Sequence, residues 1–339
     1  MNPRRRILPV FIPHLGCPYS CIYCNQHEIT APDISAIPGG EHLDPLAEMD
    51  RLLSPPPDGE ERELAFYGGS FTALPVKLQL RFLDPAATAL ADGRIASIRL
   101  STRPDAINQE TLDRLRRCGV RTVELGAQSM RDEVLLLSRR GHTAQDVRDA
   151  AKMVLEAGFQ LVLQMMTGLP GDDDAGALYT ARELIAMRPN AVRIYPTVVV
   201  RGTRLAELWQ TGEYREHTVE DAVRVCAMLL PLFEEACIPV IRLGLNPSEE
   251  LSGGAALAGA YHPALGELVR SRVLRNRLEG RLSVLDCADR IVTVTVPPNT
   301  LSQTIGQRRC NVIWLRDRFR LRELRVESGE TPKVQLSIL

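Results

Sequence analysis

Short β-branched or apolar runs alternate with longer amphipathic stretches over most of the chain. Strands are expected at Ile7 to Leu15, Glu63 to Tyr67, Ser97 to Ser101, Thr122 to Gly126, Gln160 to Met166, Ala191 to Tyr195 and Val240 to Leu245. Helical patterns fill the gaps at Val76 to Ala91, Gln109 to Cys118, Thr143 to Ala157, Gly176 to Met187 and Val219 to Ala236. Cys118-Gly119 and Ala157-Gly158 supply glycines where a helix would close in a left-handed cap. This rhythm predicts parallel strands joined by helical crossovers, an α/β fold with the character of a β/α barrel over residues 1–245. Such barrels carry their chemistry on the loops after the strand ends. Pro55 to Gly59 reads as a loop without visible chemistry.

The pattern changes beyond residue 245. Asn246 to His262 is small and polar, and reads as a linker or a lid over the barrel mouth. Pro263 to Glu279 follows as a helix with Arg270, Arg272, Arg275 and Arg277 spread around it, read as a solvated face, so that residues 246–285 form a linker and basic helix. Residues 286–339 then read as a small α+β domain. Its strand Arg290 to Val296 leads through Pro297-Pro298-Asn299 into a helix ending at Thr304-Ile305-Gly306. A second helix over Asn311 to Phe319 and strands at Leu321 to Val326 and Lys333 to Ile338 complete it.

With 339 residues, 45% of them hydrophobic, the chain can bury one large core and a smaller one. No apolar run approaches the ~18 residues of a spanning helix, and the run after Met1 to Arg6 is too short for a signal peptide, so a cytoplasmic protein without a membrane partner is expected. Eight cysteines in so long a chain make no disulfide framework; Cys118, Cys226, Cys237, Cys287 and Cys310 read as ordinary thiols. The net charge of −1 is unevenly spread. From His262 onward there are 14 Lys and Arg against 8 Asp and Glu, which leaves 27 against 34 in the rest, so the basic end suits a polyanion.

The most informative stretch is Cys17-Pro18-Tyr19-Ser20-Cys21-Ile22-Tyr23-Cys24, whose three thiols follow the first strand. A structural zinc or a purely electron-carrying cluster takes four protein ligands, whereas three leave one iron of a four-iron cluster open. The alternative is zinc, with His14 or His27 as the fourth ligand. This cysteine spacing, with Tyr23 before the last thiol, resembles the signature of radical S-adenosylmethionine enzymes. The resemblance implies a [4Fe-4S] cluster on Cys17, Cys21 and Cys24, with S-adenosylmethionine on the open iron. It also implies an electron donor such as a flavodoxin or ferredoxin, and a 5′-deoxyadenosyl radical that abstracts a hydrogen atom from substrate.

Further motifs close successive strands: Tyr67-Gly68-Gly69-Ser70, Ser101-Thr102-Arg103-Pro104-Asp105, Glu124 to Ser129, Leu137 to Thr143 and Gln164 to Gly171. The run Arg193 to Thr203, with Glu207-Leu208-Trp209, completes the series. In this order they resemble the radical domain of the Elongator catalytic subunit over Ile7 to Tyr214, and more distantly the oxygen-independent coproporphyrinogen oxidases. That implies a partial (β/α) barrel. Family contacts to S-adenosylmethionine carry over to Gly68, Gly69, Gln128 and Arg140, and the cofactor shell is expected to draw also on Tyr23, Ser70, Ser101, Arg103 and Gln164. Ser101 stands where relatives commonly have glutamate, and Gln164 where they have aspartate or histidine. Read without the resemblance, Gln128 is a helix cap, Arg140 a solvated helix-end cation and His142 a turn residue. No acetyltransferase domain or long basic amino-terminal extension is expected.

In the last segment, Ile305-Gly306, Arg309, Val312 and Leu315 resemble the core of a KH module, with Arg309 in place of the second glycine. This implies RNA contacts at Gly306, Arg308 and Arg309. The leading expectation is a radical S-adenosylmethionine enzyme acting on RNA, with tRNA as the class. The alternatives are radical chemistry on a small molecule such as a tetrapyrrole, and a zinc-clipped RNA-binding protein without catalysis.

Overall fold

The computed structural model describes residues 6–12, 15–25, 45–53, 61–331 and 334–338. Residues 1–5, His14, His27 and the loop at 55–59 lie outside them. In chain order the first half contains β1 (Arg6–Phe11), α1 (Pro45–Leu52), β2 (Arg62–Tyr67), α2 (Val76–Ala91), β3 (Ser97–Thr102), α3 (Gln109–Arg117), β4 (Val120–Gln128) and α4 (Asp132–Leu137). It continues through α5 (Ala144–Glu156), β5 (Gln160–Thr167), α6 (Asp174–Ala186), β6 (Ala191–Pro196), β7 (Val198–Val200), α7 (Arg204–Gln210), α8 (Val219–Glu235) and β8 (Val240–Leu243). The long strands and helices fall where hydrophobic periodicity places them.

Local chemistry sets the helix starts. Thr143 with Asp146 and Thr218 with Asp221 form reciprocal capping boxes at α5 and α8, while Asn108, Asp173 and Thr203 cap α3, α6 and α7. Gly119 and Gly158, with φ of +75° and +81°, end α3 and α5 as expected.

Seven strands pair in parallel in the order β1-β2-β3-β4-β5-β6-β8 and curl into a partial barrel with helices outside, the fold class expected. Val10, Leu64, Phe66, Leu100, Val123, Leu163 and Ile194 pack from the strands against Phe82, Leu83, Val147 and Phe233 of the helices. All strand ends therefore open on one face.

The stretch read as a plain linker or lid has structure of its own. Residues 251–255 form a π-turn, and β9 (Ala256–Gly259) pairs antiparallel with β7, Val199 facing Ala258. Helix α9 (Leu265–Leu282) follows; of the four arginines read as a solvated face Arg270 is exposed, while the other three are engaged. Arg272 and Arg277 pair with Glu220 and Glu234 of α8 at 2.6 and 2.7 Å, and the Arg275 guanidinium lies 4.4 Å from the centre of the Trp314 ring.

The carboxy-terminal module comprises β10 (Ile291–Val296), α10 (Leu301–Ile305), α11 (Cys310–Arg318), β11 (Glu323–Ser328) and β12 (Gln335–Ile338). β10 lies in the middle, parallel to β11 and antiparallel to β12. Val292, Val294, Val296, Val312, Leu315 and Leu324 make a second core, closed by Leu278 and Leu282 of α9. Buried Asn311 donates through Nδ2 to the Ser271 carbonyl at 3.0 Å, which ties α11 to that helix. Gly306 has φ +76°, and a Cβ there would stand 2.7 Å from Cys310 Sγ. Arg309 adopts a left-handed φ of +62°, the conformation a glycine would take freely. Among the described residues no helix is long and apolar enough to cross a membrane.

Candidate active site

A cavity of about 660 Å³ opens at the carboxyl ends of the barrel strands. Cys17, Cys21 and Cys24 line it, and so do Tyr23, Gly68, Gly69, Ser101, Arg103, Gln128, Arg140 and Gln164. These expected residues are spread over more than 140 positions of sequence, and the fold brings them to one hollow.

The cysteine loop is held from two sides. Ile22 packs with Val199, Leu205, Ala206 and Tyr214, the Leu205 N–H donates to the Ile22 carbonyl at 2.7 Å, and Asn25 Nδ2 donates to the Arg201 carbonyl at 2.9 Å. On the other side the Ile22 N–H donates to the Ser138 carbonyl at 3.3 Å. None of the three cysteines is in a disulfide, and all are half-buried. Burial raises the Cys17 thiol above its ordinary pKa and neighbouring Cys21 adds to the rise, while Arg140 and Arg103 oppose it.

Gly68 and Gly69 are required for different reasons. Gly68 has φ +92°, in the left-handed region. A Cβ on Gly69 would stand 2.3 Å from the Leu15 carbonyl oxygen and 2.6 Å from that of Ile12, so only glycine lets this turn pass beneath the cysteine loop. Ser70 does not line the cavity. It is fully buried; its hydroxyl lies 3.1 Å from Thr102 Oγ1 and accepts the Arg103 N–H at 3.3 Å, so it braces the next strand end.

Gln128 owes its position to a break in the ladder. The β4–β5 register shifts between Gly126 and Gln128, and Gln128 takes φ +66°, an uncommon conformation for a side chain of this type. Arg140, also buried, donates through Nη2 to the Gly126 carbonyl at 2.8 Å and through Nη1 to Cys21 Sγ at 3.3 Å. Its Nε and the Tyr23 hydroxyl are buried without a hydrogen-bond partner. His142 faces the Ala127 carbonyl through Nε2 at 3.2 Å, and burial, reinforced by the Arg140 charge, lowers its pKa to about 4. Arg103 reaches the cavity wall but is occupied: it pairs with Asp105 at 2.9 Å, donates to the Arg140 carbonyl and lies 5.0 Å from the centre of the Tyr19 ring. Its guanidinium thus positions Arg140 and Tyr19.

Deeper in the barrel lies a network whose roles the motifs do not assign. Fully buried Glu124 accepts from Arg99 Nη1 at 2.8 Å, Arg193 Nη2 at 3.0 Å, Tyr67 Oη at 3.3 Å and Gln164 Nε2 at 2.8 Å. Arg99 also pairs with Glu63, and Gln164 Nε2 donates to Ser101 Oγ at 3.0 Å. Both amide hydrogens of Gln164 are committed, so Gln164 and Ser101 act as one unit with Glu124 at their base. The available signal was a charged or amide residue inside each of several otherwise apolar strands, namely Glu63, Arg99, Glu124, Gln164 and Arg193.

These residues fit the cofactors that the cysteine spacing implies. Three cysteines outside any disulfide, two buried polar atoms without partners and a turn that admits no side chain share one cavity. Among the described residues no three His, Cys, Asp or Glu converge as a site for one metal ion. A four-iron cluster needs no such convergence, because each thiolate binds a different iron.

Comparison with known proteins agrees with the geometry. The model of the radical SAM superfamily matches residues 11–184, and that of the radical SAM C-terminal domain matches residues 189–275. The tRNA uridine(34) acetyltransferase of Methanocaldococcus jannaschii is 27% identical over 248 residues, covering 67% of this chain and 45% of that protein. Elongator complex protein 3 of Homo sapiens is 30% identical over 231 residues, covering 62% and 41%. The chain spans less than half the length of these curated relatives. In fold it is similar to the archaeal Methanocaldococcus infernus Elp3 with an N-terminal deletion, at TM-score 0.59 and 21% identity over 80% of this chain and 63% of that one. Coproporphyrinogen III oxidase from Escherichia coli gives TM-score 0.50 and 19% identity over 69% and 54%. With half its length inside the superfamily model and its strand-end motifs gathered on one cavity, the chain belongs to the radical SAM superfamily of enzymes, whose cofactors are a [4Fe-4S] cluster and S-adenosylmethionine.

Proposed function

We propose that the chain holds its cluster on Cys17, Cys21 and Cys24, cleaves S-adenosylmethionine reductively, and acts on RNA, with tRNA as the class. The observation that carries this reading is the shared cavity of the three thiols with Gly68, Gly69, Gln128 and Arg140. When bound, the reduced cluster and S-adenosylmethionine together supply a 5′-deoxyadenosyl radical able to take a hydrogen atom from substrate. Gly68 and Gly69 would present backbone polar groups to the methionyl end, and Gln128 would offer its amide from the β4 bulge. Arg140 would keep a cation beside the thiolates while its Gly126 bond fixes the guanidinium plane. The electron comes from a donor such as a flavodoxin or ferredoxin. The nucleic-acid part rests on the tRNA-modifying and Elongator relatives and on the basic carboxy-terminal segment.

The test is anaerobic reconstitution followed by iron, sulfide and zinc analysis. It continues with 5′-deoxyadenosine assays with and without total tRNA, and mass analysis of the digested nucleosides. Alanine at any one of the three cysteines should abolish iron retention. Gln128→Asn, which tolerates the left-handed backbone but has a shorter reach, and Arg140→Lys should each weaken S-adenosylmethionine binding by about 1 to 3 kcal/mol. Stoichiometric zinc without iron would end the reading. Cleavage with no mass-shifted nucleoside would remove RNA and leave the small-molecule reaction.

A further inference from the structure

We infer that the outer face of α11 is an RNA-binding site that takes a phosphodiester between Arg308 and Arg318 and a base against Trp314. This rests on the proposal that the chain acts on RNA, and it names where RNA is held away from the barrel. An open hollow of about 540 Å³ lies on this face, lined by Arg308, Cys310, Ile313, Trp314, Asp317 and Arg318. Positions 310, 313, 314 and 317 are spaced as one stripe of a helix, so the floor is a helical surface, with an arginine just before the helix and another at its last residue.

Three features select RNA as the occupant. Ile313 is 46% exposed beside a partly buried Trp314, an apolar and aromatic floor of the kind on which bases stack. Arg275 lies over the Trp314 ring at 4.4 Å from its centre, while Trp314 itself lines the hollow. The charge is positive: Asp317 is neutralised by Arg316 at 2.8 Å, Arg318 is only loosely paired with Glu279 at 3.9 Å, and exposed Arg308 and Arg309 stand at the helix start. The left-handed backbone at both, with φ of +51° and +62°, holds this arginine pair in the turn before the helix. A stacking floor with guanidiniums at both ends suits single-stranded nucleic acid, whose bases and phosphates alternate.

The test uses the full chain and a fluorescein-labelled single-stranded oligouridine of about ten nucleotides, followed by anisotropy at several salt concentrations. Arg308→Glu and Arg318→Glu should each weaken binding at least about tenfold and flatten the salt dependence by roughly one unit of slope per lost phosphate contact. Trp314→Leu should weaken binding about 5- to 100-fold with the slope unchanged. Ile313→Glu, at an exposed position that does not threaten folding, should also weaken binding and probes the same floor if Trp314→Leu is unstable. Arg325→Glu makes the same charge change on β11, where its neighbour Leu324 faces the core, and should bind as wild type. If the wild type binds RNA and Arg308→Glu, Arg318→Glu and Ile313→Glu bind equally well, the site is wrong while the RNA reading survives. If the wild type binds no RNA even at low salt, both fall.

Discussion

Replacing Glu124 with glutamine tests whether the barrel floor is held by charge. The carboxylate receives four hydrogen bonds and is fully buried, while Arg99 and Arg193 have side chains only 14% exposed. Glutamine keeps the shape. Turned to spare the arginines, it points its amide nitrogen at Gln164 Nε2, donor against donor; turned the other way, it points that nitrogen at two guanidiniums. Arg99 retains Glu63 at 2.8 Å, but Arg193 is left with the Tyr67 and Tyr195 hydroxyls and no carboxylate. Removing one member of a buried ionic set costs about 3 to 5 kcal/mol, which at about 2 °C per kcal/mol for a chain of this size is a fall in Tm of about 6 to 10 °C. Urea unfolding of cluster-free protein by circular dichroism measures the cost, provided the m-value is unchanged. A cycle with Arg193→Met isolates the coupling, expected to exceed about 1 kcal/mol. A loss below about 1 kcal/mol in Glu124→Gln, or strict additivity with Arg193→Met, would refute the argument.

Gly69→Ala should cost about 1 to 3 kcal/mol and lower iron retention, because its Cβ would meet two backbone oxygens beneath the cysteine loop. Gly280→Ala, with nothing within 4 Å of its Cβ and a place inside α9, should instead be neutral or stabilising by up to about 1 kcal/mol; thermal melts with iron analysis compare the two. For pH, burial lowers His142 from 6.5 to about 4, so the unfolded chain takes a proton that the folded one refuses, and stability is lost as pH falls through that window. Burial raises Asp172 from 3.8 to about 6, so the folded carboxyl keeps a proton that the unfolded one releases, and stability is gained as pH falls from 6 toward 4. Each shift corresponds to about 3 kcal/mol, and the two oppose. Asp172→Asn should steepen acid destabilisation between pH 6 and 4, and His142→Gln, whose amide nitrogen replaces Nε2, should flatten or reverse it; parallel melting curves for both variants and wild type would contradict the assignment.

The barrel was legible because the strands are largely apolar runs and several helices between them carry their own start and stop signals, such as Asn108 before α3 and Gly119 after it. Gly68, Gly69 and Gln128 were legible because they stand at strand ends, where a polar group would be wasted on the core; Arg140, expected at a strand end, lies instead in the loop between α4 and α5, and only the family resemblance pointed to it. What escaped depends on partners far away in sequence. Ala256 to Gly259 has no alternation to reveal a strand and becomes one only through β7, more than fifty residues earlier. Arg272 and Arg277 look solvated until α8 supplies Glu220 and Glu234. The charge network was visible residue by residue, but nothing in sequence says that Glu124 is the acceptor to which Arg99, Arg193 and Gln164 all turn.

The two halves of the site are stabilised differently. Around Gln128 the backbone is strained, and a residue in such a conformation costs about 1 to 3 kcal/mol unless its surroundings leave it no alternative. Here they do so: the Gly126 carbonyl is taken by Arg140, the Ala127 carbonyl faces His142 and also accepts the Ser129 N–H, and the strand is buried along almost its whole length. This wall is built from within the barrel. The cysteine loop closes on itself only through the Cys24 N–H to the Cys21 carbonyl at 3.1 Å among the described residues, and draws on more distant segments. It is fastened by Ser138 on one side and by Arg201 and Leu205 on the other, the Asn25 contact spanning 176 residues, and its apolar anchor Ile22 lies in a small core contributed by β7, α7 and Tyr214. Part of what places the thiols beside Arg140 thus comes from the segment after β6, so the first residues of the site are positioned in part by some of the last residues of the barrel.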